Sequence, residues 1–302
     1  MRGRGVGIAL AFAAACISGV SVLLNSYAVR EFGDATLYTT AKNLVAAAIV
    51  IALGISLTAA RSTSGIQLPR AHRERIGLVV VGVLGGGIAF ALFFQGLAQT
   101  SATSAAFIQK SLVIWVAVLA VIVLRERLGA LHVGAIALLL IGQAAVSGGL
   151  GPIALNTGGA MVLAATLLWS IEVVVAKELL RGLTPLTVAS ARLGIGVVVL
   201  VALAVAGGAV SQLGAVTPQG WLWVAATGVI LALYVVTWYS ALSRAGAIDV
   251  TAVLVFGAVI TALLGADIRG SSALPSALGL ALITLGCVLI AIMDAERRRA
   301  IA

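Results

Sequence analysis

Charge is scarce in this sequence. Only 10% of the 302 residues are Asp, Glu, Lys or Arg, against roughly a quarter in a soluble domain. With 62% hydrophobic residues and a mean hydropathy of +1.18, the chain cannot clothe a water-facing surface. Histidine and cysteine are scarcer still, at two each. His72 falls in a loop, His132 at a helix start, and Cys16 and Cys287 inside apolar runs, so no metal, redox centre or cofactor is expected. Intramembrane enzymes need convergent sets such as Ser with His, paired aspartates, or metal-binding His and Glu. Here no histidine falls in mid-membrane and one acidic residue, Glu172, lies clearly within a span. The chain is therefore not expected to be an enzyme, and an intramembrane enzyme or a channel is kept as the alternative class. Alternation in blocks of about ten is absent too, which argues against an outer-membrane barrel. "GVLGGGIAF" has no strand before it and no Lys-Ser/Thr after it, so no nucleotide loop is expected there.

Long apolar runs are what the sequence does have. Ten spans are expected at 7–29, 36–59, 76–98, 103–124, 129–148, 157–177, 186–207, 220–243, 249–267 and 273–293, an all-α polytopic membrane protein. The opening "MRGRGVGIALAFAAACISG" imitates a cleavable leader. Its apolar run continues past Gly19 to Leu24 and a related segment recurs later, so it is read as the first span. Fourteen of the 19 Lys and Arg residues fall on the side of both termini, and only Arg30 and Arg269 fall in loops of the other side. That bias predicts cytoplasmic termini. It also turns the net charge of +9 into a topology signal, with no nucleic-acid partner expected.

The chain repeats itself. "GDATLYTTAKNLVAAAIV" from Gly33 matches "LTPLTVASARLGIGVVVL" from Leu183, placing Lys42 on Arg192. "FFQGLAQTSATSAA" from Phe93 matches "WYSALSRAGAIDVTA" from Trp238, placing Phe93 on Trp238 and Phe94 on Tyr239. "AIALLLIG" from Ala135 matches "GLALITLG" from Gly279. The expected units are a first five-helix repeat over 1–148, a second over 157–293, and a basic cytoplasmic tail over 294–302. An odd number of spans per unit makes the repeat inverted, the usual basis of two oppositely facing transporter states.

At these residues the sequence resembles the EamA type of the drug/metabolite transporter superfamily. "QGLAQTSATSAAFIQKSLVIWVAVLAVIVLRERLGALHVGAIALLLIG" (95–142) looks like the end of the family's third helix, the fourth, the Gly-Glu-Arg-Leu-like turn and the fifth. Glu126, Arg127 and Leu128 fit the turn, with Arg125 where glycine is usual. "LLWSIEVVVAKELLRGLTPLTVASARLG" looks like the opening of a repeat, with Trp169, Lys177, Pro185 and Arg192 at the family's spacing. The chain departs from the pattern at Val113, where a helix-breaking proline is common. It departs again in "GADIRGSS", with Asp267 nearest to the second acidic turn. The resemblance implies a multi-pass protein of the plasma or inner membrane and secondary transport of a small metabolite, often efflux. It specifies no substrate.

Charge inside a bilayer costs at least ~2.5–3.5 kcal/mol, so each intramembrane charge is a candidate for function. Lys110, beside Gln109 in a helix without a carboxylate, is the foremost. Three readings are open: a substrate or ion site, an ion pair with Glu172 across the bundle, or snorkelling to the interface. Lys42 and Arg192 either snorkel or line a cavity. Glu172 and Arg192, about equally far from the turn between the sixth and seventh spans, either form a structural pair or make Glu172 a proton-coupling site. Phe94, Trp169, Trp238 and Tyr239 complete the candidate substrate-facing set, with Phe93; packed or lipid-facing aromatics are the bland alternative. Expected partners are the lipid bilayer, a small-molecule substrate and, through Glu172, protons. Trp221 and Trp223 fit the interfacial belt.

Overall fold

The computed structural model describes residues 2–100, 102–146, 156–268 and 276–299. The side chains of 2–4, 102–103, 265–268 and 297–299 are not among those described. Among the described residues nine helices are long and apolar enough to cross a bilayer, and Ala130–Val146 is a shorter apolar tenth. In chain order they are α1 Arg2–Phe32, α2 Ala35–Ala59, α3 His72–Gln99, α4 in two pieces (Ala102–Lys110 and Leu112–Leu119), and α5 Ala130–Val146. Then come α6 Thr157–Leu179, α7 Pro185–Ala206, α8 Pro218–Leu242, α9 in two pieces (Ala247–Leu254 and Gly257–Ile268), and α10 Ala277–Arg299.

The ten helices answer to the ten expected spans, with ends shifted by a few residues. Arg269, the end of the fifth expected span and the start of the tenth lie outside the described residues, as does the Asp267 side chain. At positions 294–299 the chain continues α10 as helix. Glu and Arg are good helix formers, and the last turns follow from that propensity.

Local chemistry explains the helix starts. Asp34, Asn156, Thr184 and Thr217 accept hydrogen bonds from the backbone N–H of Leu37, Gly159, Thr187 and Gly220, which closes an otherwise orphaned donor in each first turn. Proline follows directly at Pro185 and Pro218, where its missing N–H costs nothing. Arg125 ends the fourth pass at φ 56, a left-handed conformation that explains why a glycine suits that position.

Packing repeats with the sequence. α1 lies on α8 as α3 lies on α6, α3 on α7 as α8 on α2, and α4 on α6 as α9 on α1. The pairs α2 with α7, α4 with α9, and α5 with α10 join each helix to its own repeat partner. A two-fold relation between the first five helices and the last five produces this set of contacts.

Glycines let two of these contacts close completely. Gly86, in the widened stretch Val81–Ile88 of α3, sits so tightly on α7 that an added Cβ would lie 1.9 Å from the Arg192 carbonyl oxygen. Gly228 of α8 sits likewise on α2, where a Cβ would lie 3.1 Å from the Lys42 carbonyl oxygen. "GVLGGGIAF" is thus a helix–helix seam. Gly86→Ala should destabilise the purified protein by about 1–3 kcal/mol, since backbone cannot yield as a side-chain tip can. Gly134→Ala, where a Cβ meets nothing within 4 Å, should be neutral or stabilising by up to ~1 kcal/mol. Thermal unfolding in one detergent checks both, and equal midpoints would refute the seam.

Candidate functional site

Both α4 and α9 break at corresponding places. In α4 the Ser111 N–H donates to Ile108 O at 3.1 Å and the Ser111 hydroxyl to the same oxygen at 2.6 Å. In α9 Val255 N–H reaches Ala252 O at 3.1 Å and Phe256 N–H reaches Val253 O at 3.0 Å. These three-residue turns tighten the helix locally and interrupt it. The repeat alignment puts Ser111 on Phe256, so the break is a property of the fold. Val113, which cannot break a helix as proline does, is no obstacle: Ser111 satisfies the loosened carbonyl with its own hydroxyl.

The breaks face a cavity of about 150 Å³ in the middle of the bundle. Such a volume holds on the order of ten waters. Lys110, at the end of the first piece of α4, lines it. The Lys110 ammonium has no hydrogen bond or ion pair to any described residue, and the anticipated pair with Glu172 is not made. Gln109, Phe94, Trp169 and Trp238 line the same space, as do Lys42, Glu172 and Arg192. Tyr239 does not line it; it lies fully buried behind the wall and donates its hydroxyl proton to Glu172 Oε1.

The charged groups differ in how they are held. Lys42 donates to Asn25 Oδ1 at 2.9 Å and lies over the Phe94 ring at 4.0 Å and the Tyr38 ring at 5.1 Å. A cation over ring faces is stabilised by their quadrupoles. The Tyr38 hydroxyl donates to the same Asn25 oxygen at 2.6 Å. Arg192 Nη2 lies 4.0 Å from Glu172 Oε2, and its guanidinium lies 5.3 Å from the Phe90 ring centre. Arg192 Nε and Nη1 are buried without a hydrogen-bond partner. Neither basic residue snorkels: Lys42 is 2% exposed and Arg192 5%.

Several contributors were not singled out from the sequence. Phe90 lies under both Lys42 and Arg192; its place one helical turn before Phe93 and Phe94 is the signal that would have found it. Asn25 is a polar residue in an apolar run, the same signal that exposed Lys110. His132 and Asp249 are both buried, with Nε2 and Oδ1 3.3 Å apart. No sequence pattern relates them. Among the described residues no His/Cys/Asp/Glu group fit to hold a metal occurs.

That pair belongs to a second polar cluster, where the chain turns from α8 into α9. Glu126 accepts from Ala247 N–H at 2.8 Å and Ile248 N–H at 3.2 Å, capping the start of α9. Lys177 donates to the Leu242 and Ala245 carbonyls at 2.6 Å each, capping the end of α8. The central cavity runs the other way. Its walls include Ser18 to Ser26 late in α1, Phe90 to Leu97 late in α3, and Ala105 to Val113 early in α4. Its lining reaches Leu97 and Ala105 beside the α3–α4 turn, with the Glu126–Lys177 cluster at the opposite end of the bundle.

Glu172 and Arg192 should be energetically coupled. Removing either alone leaves a buried charge without its partner and should cost about 3–5 kcal/mol. The double variant Glu172→Gln/Arg192→Met should cost less than the two singles together, by about 0.5–3 kcal/mol. Strict additivity in thermal unfolding would show that the two side chains do not act as a pair.

Comparison with known proteins follows the same division. A solved crystal structure superposes with a TM-score of 0.72 at 18% identity, covering 97% of this chain and 99% of its own, which establishes a shared fold and no more. None of the curated proteins compared matches the chain. The model of the EamA-like transporter family matches twice, over residues 5–148 and 156–292, once for each five-helix half. With both halves of the bundle matched, the chain belongs to the EamA-like transporter family.

Proposed function

We propose that the protein is a secondary transporter that carries a small anionic or zwitterionic metabolite through the central cavity by alternating access. The observation that carries this reading is the Lys110 ammonium, unpartnered among the described residues and turned to a cavity at a break in its helix. A lysine held inside a bilayer without a carboxylate persists where water and a passing anion can reach it. Broken helices at the midplane are where transporters of this kind hold their cargo. Gln109 supplies a neutral polar contact, and Phe94, Trp169 and Trp238 supply walls for the rest of the molecule.

The loop charges orient the chain with both termini in the cytoplasm of a plasma or inner membrane. In that orientation the cavity faces outward, and the Glu126–Lys177 cluster closes the cytoplasmic end. Release of the α8–α9 turn, with closure of the equivalent α3–α4 turn, would turn the cavity inward. Export is the direction we assign. Glu172 is the only carboxylate among the described residues lining the cavity. It is the group through which a proton would be exchanged for substrate.

A thermal-stability screen of the purified protein against acidic and zwitterionic metabolites, run in parallel on Lys110→Met, tests the reading. A ligand at a hundred times its Kd should stabilise the wild type by about 2.7 kcal/mol. The same ligand should leave folded Lys110→Met unmoved. Equal stabilisation of both proteins would make Lys110 structural and remove the anion from the proposal. In proteoliposomes a carrier gives saturable flux accelerated by substrate on the far side, whereas unsaturable flux would indicate a channel.

A further inference from the structure

The charges around the cavity do not balance, and the imbalance has a size. Arg192 and Glu172 face each other and cancel. Lys42 and Lys110 remain, and among the described residues no second carboxylate lines the space. Lys42 spends one of its three donors on Asn25 and rests on rings that cannot neutralise it. Lys110 spends none on any described residue. Asp34 caps the start of α2, Glu126 caps the start of α9, and Asp249 lies beside His132 at the α8–α9 turn. Two ammonium groups therefore share one cavity with no fixed counterion.

The two lysines do not converge from one element. Lys42 comes from α2 and Lys110 from α4, helices that each border the last turns of α3. The cavity they share is lined by rings, among them Phe90, Phe93, Phe94, Trp169, Tyr234 and Trp238, with Tyr234 and Trp238 stacked at 6.2 Å. A single carboxylate would satisfy one ammonium and leave the other with water alone. Two separate carboxylates on one apolar body would answer both.

We propose that the substrate is a dianion with two separated carboxylates on an apolar body, one for Lys42 and one for Lys110. The proposal rests on the anion-carrier reading and sharpens it. The second carboxylate gains a charge-assisted hydrogen bond, which is worth about ten- to a hundredfold in affinity.

Equilibrium binding to the full-length purified protein at neutral pH, measured by titration calorimetry, tests it with three probes that share one ring. Phenylsuccinate carries two carboxylates, 3-phenylpropionate one, and phenyl phosphate two charges on a single group. The wild type should bind phenylsuccinate at least about tenfold more tightly than either of the others. Lys110→Met should lose that preference, binding phenylsuccinate and 3-phenylpropionate alike, and Lys110→Arg should keep it. Lys42→Met should behave as Lys110→Met; the wild-type comparison stands whether or not that variant folds. If 3-phenylpropionate binds the wild type as tightly as phenylsuccinate, the dianion is overturned while the anion carrier survives. If phenyl phosphate equals phenylsuccinate, the two charges need not be separated, and the proposal fails in that form. If none of the three binds, the anion-carrier reading falls with it.

Discussion

A charge in a bilayer must find water, a counterion or a cost of several kcal/mol, and the centre of this molecule is arranged around that constraint. Among the described residues, three basic side chains and one acidic one reach the middle of the bundle, from α2, α4, α6 and α7. They are tolerable because the helices leave a hollow there, and because Lys42, Arg192 and Glu172 find partners in its walls. The hollow lies where α4 and α9 fail to run straight through. Serine and a tightened turn do in α4 what a proline does elsewhere, and α9 makes the same turn without either.

Backbone proximity fixes where the charges sit. Gly86 seats α3 on the carbonyl of Arg192, and Gly228 seats α8 on the carbonyl of Lys42. The two basic residues correspond in the internal repeat, and each is anchored by a glycine from the third helix of the opposite half. Their side chains have diverged in use. One is held against a carboxylate and the other lies among rings and an amide, so that a symmetric scaffold carries an asymmetric cavity wall. Side chains can diverge on such a frame without disturbing the packing that supports it.

Much of this was legible in the sequence, because a bilayer imposes a simple grammar. Apolar runs gave the helices, loop charges gave their alternation, and the recurrence of Lys42 at Arg192 gave the two-fold relation. Intramembrane charge singled out Lys42, Lys110, Glu172 and Arg192, all of which line one cavity. Rotation about a helix axis was not legible. Hydropathy reports that a residue is in the membrane and not which way it faces, and this is why Tyr239 was grouped with Trp238 although only Trp238 reaches the cavity. Pairings across distant sequence were equally hidden. Nothing about His132 or Asp249 alone tells that the fold brings them together, nor that Glu126 caps a helix more than a hundred residues away.

The cluster at the α8–α9 turn holds main chain. Glu126 binds the N–H groups of Ala247 and Ile248, and Lys177 binds the carbonyls of Leu242 and Ala245. Every amino acid but proline offers those same atoms. The turn can therefore change its side chains over evolution while these backbone contacts stay intact. What selection must preserve is the path of the backbone and the two charged residues that read it.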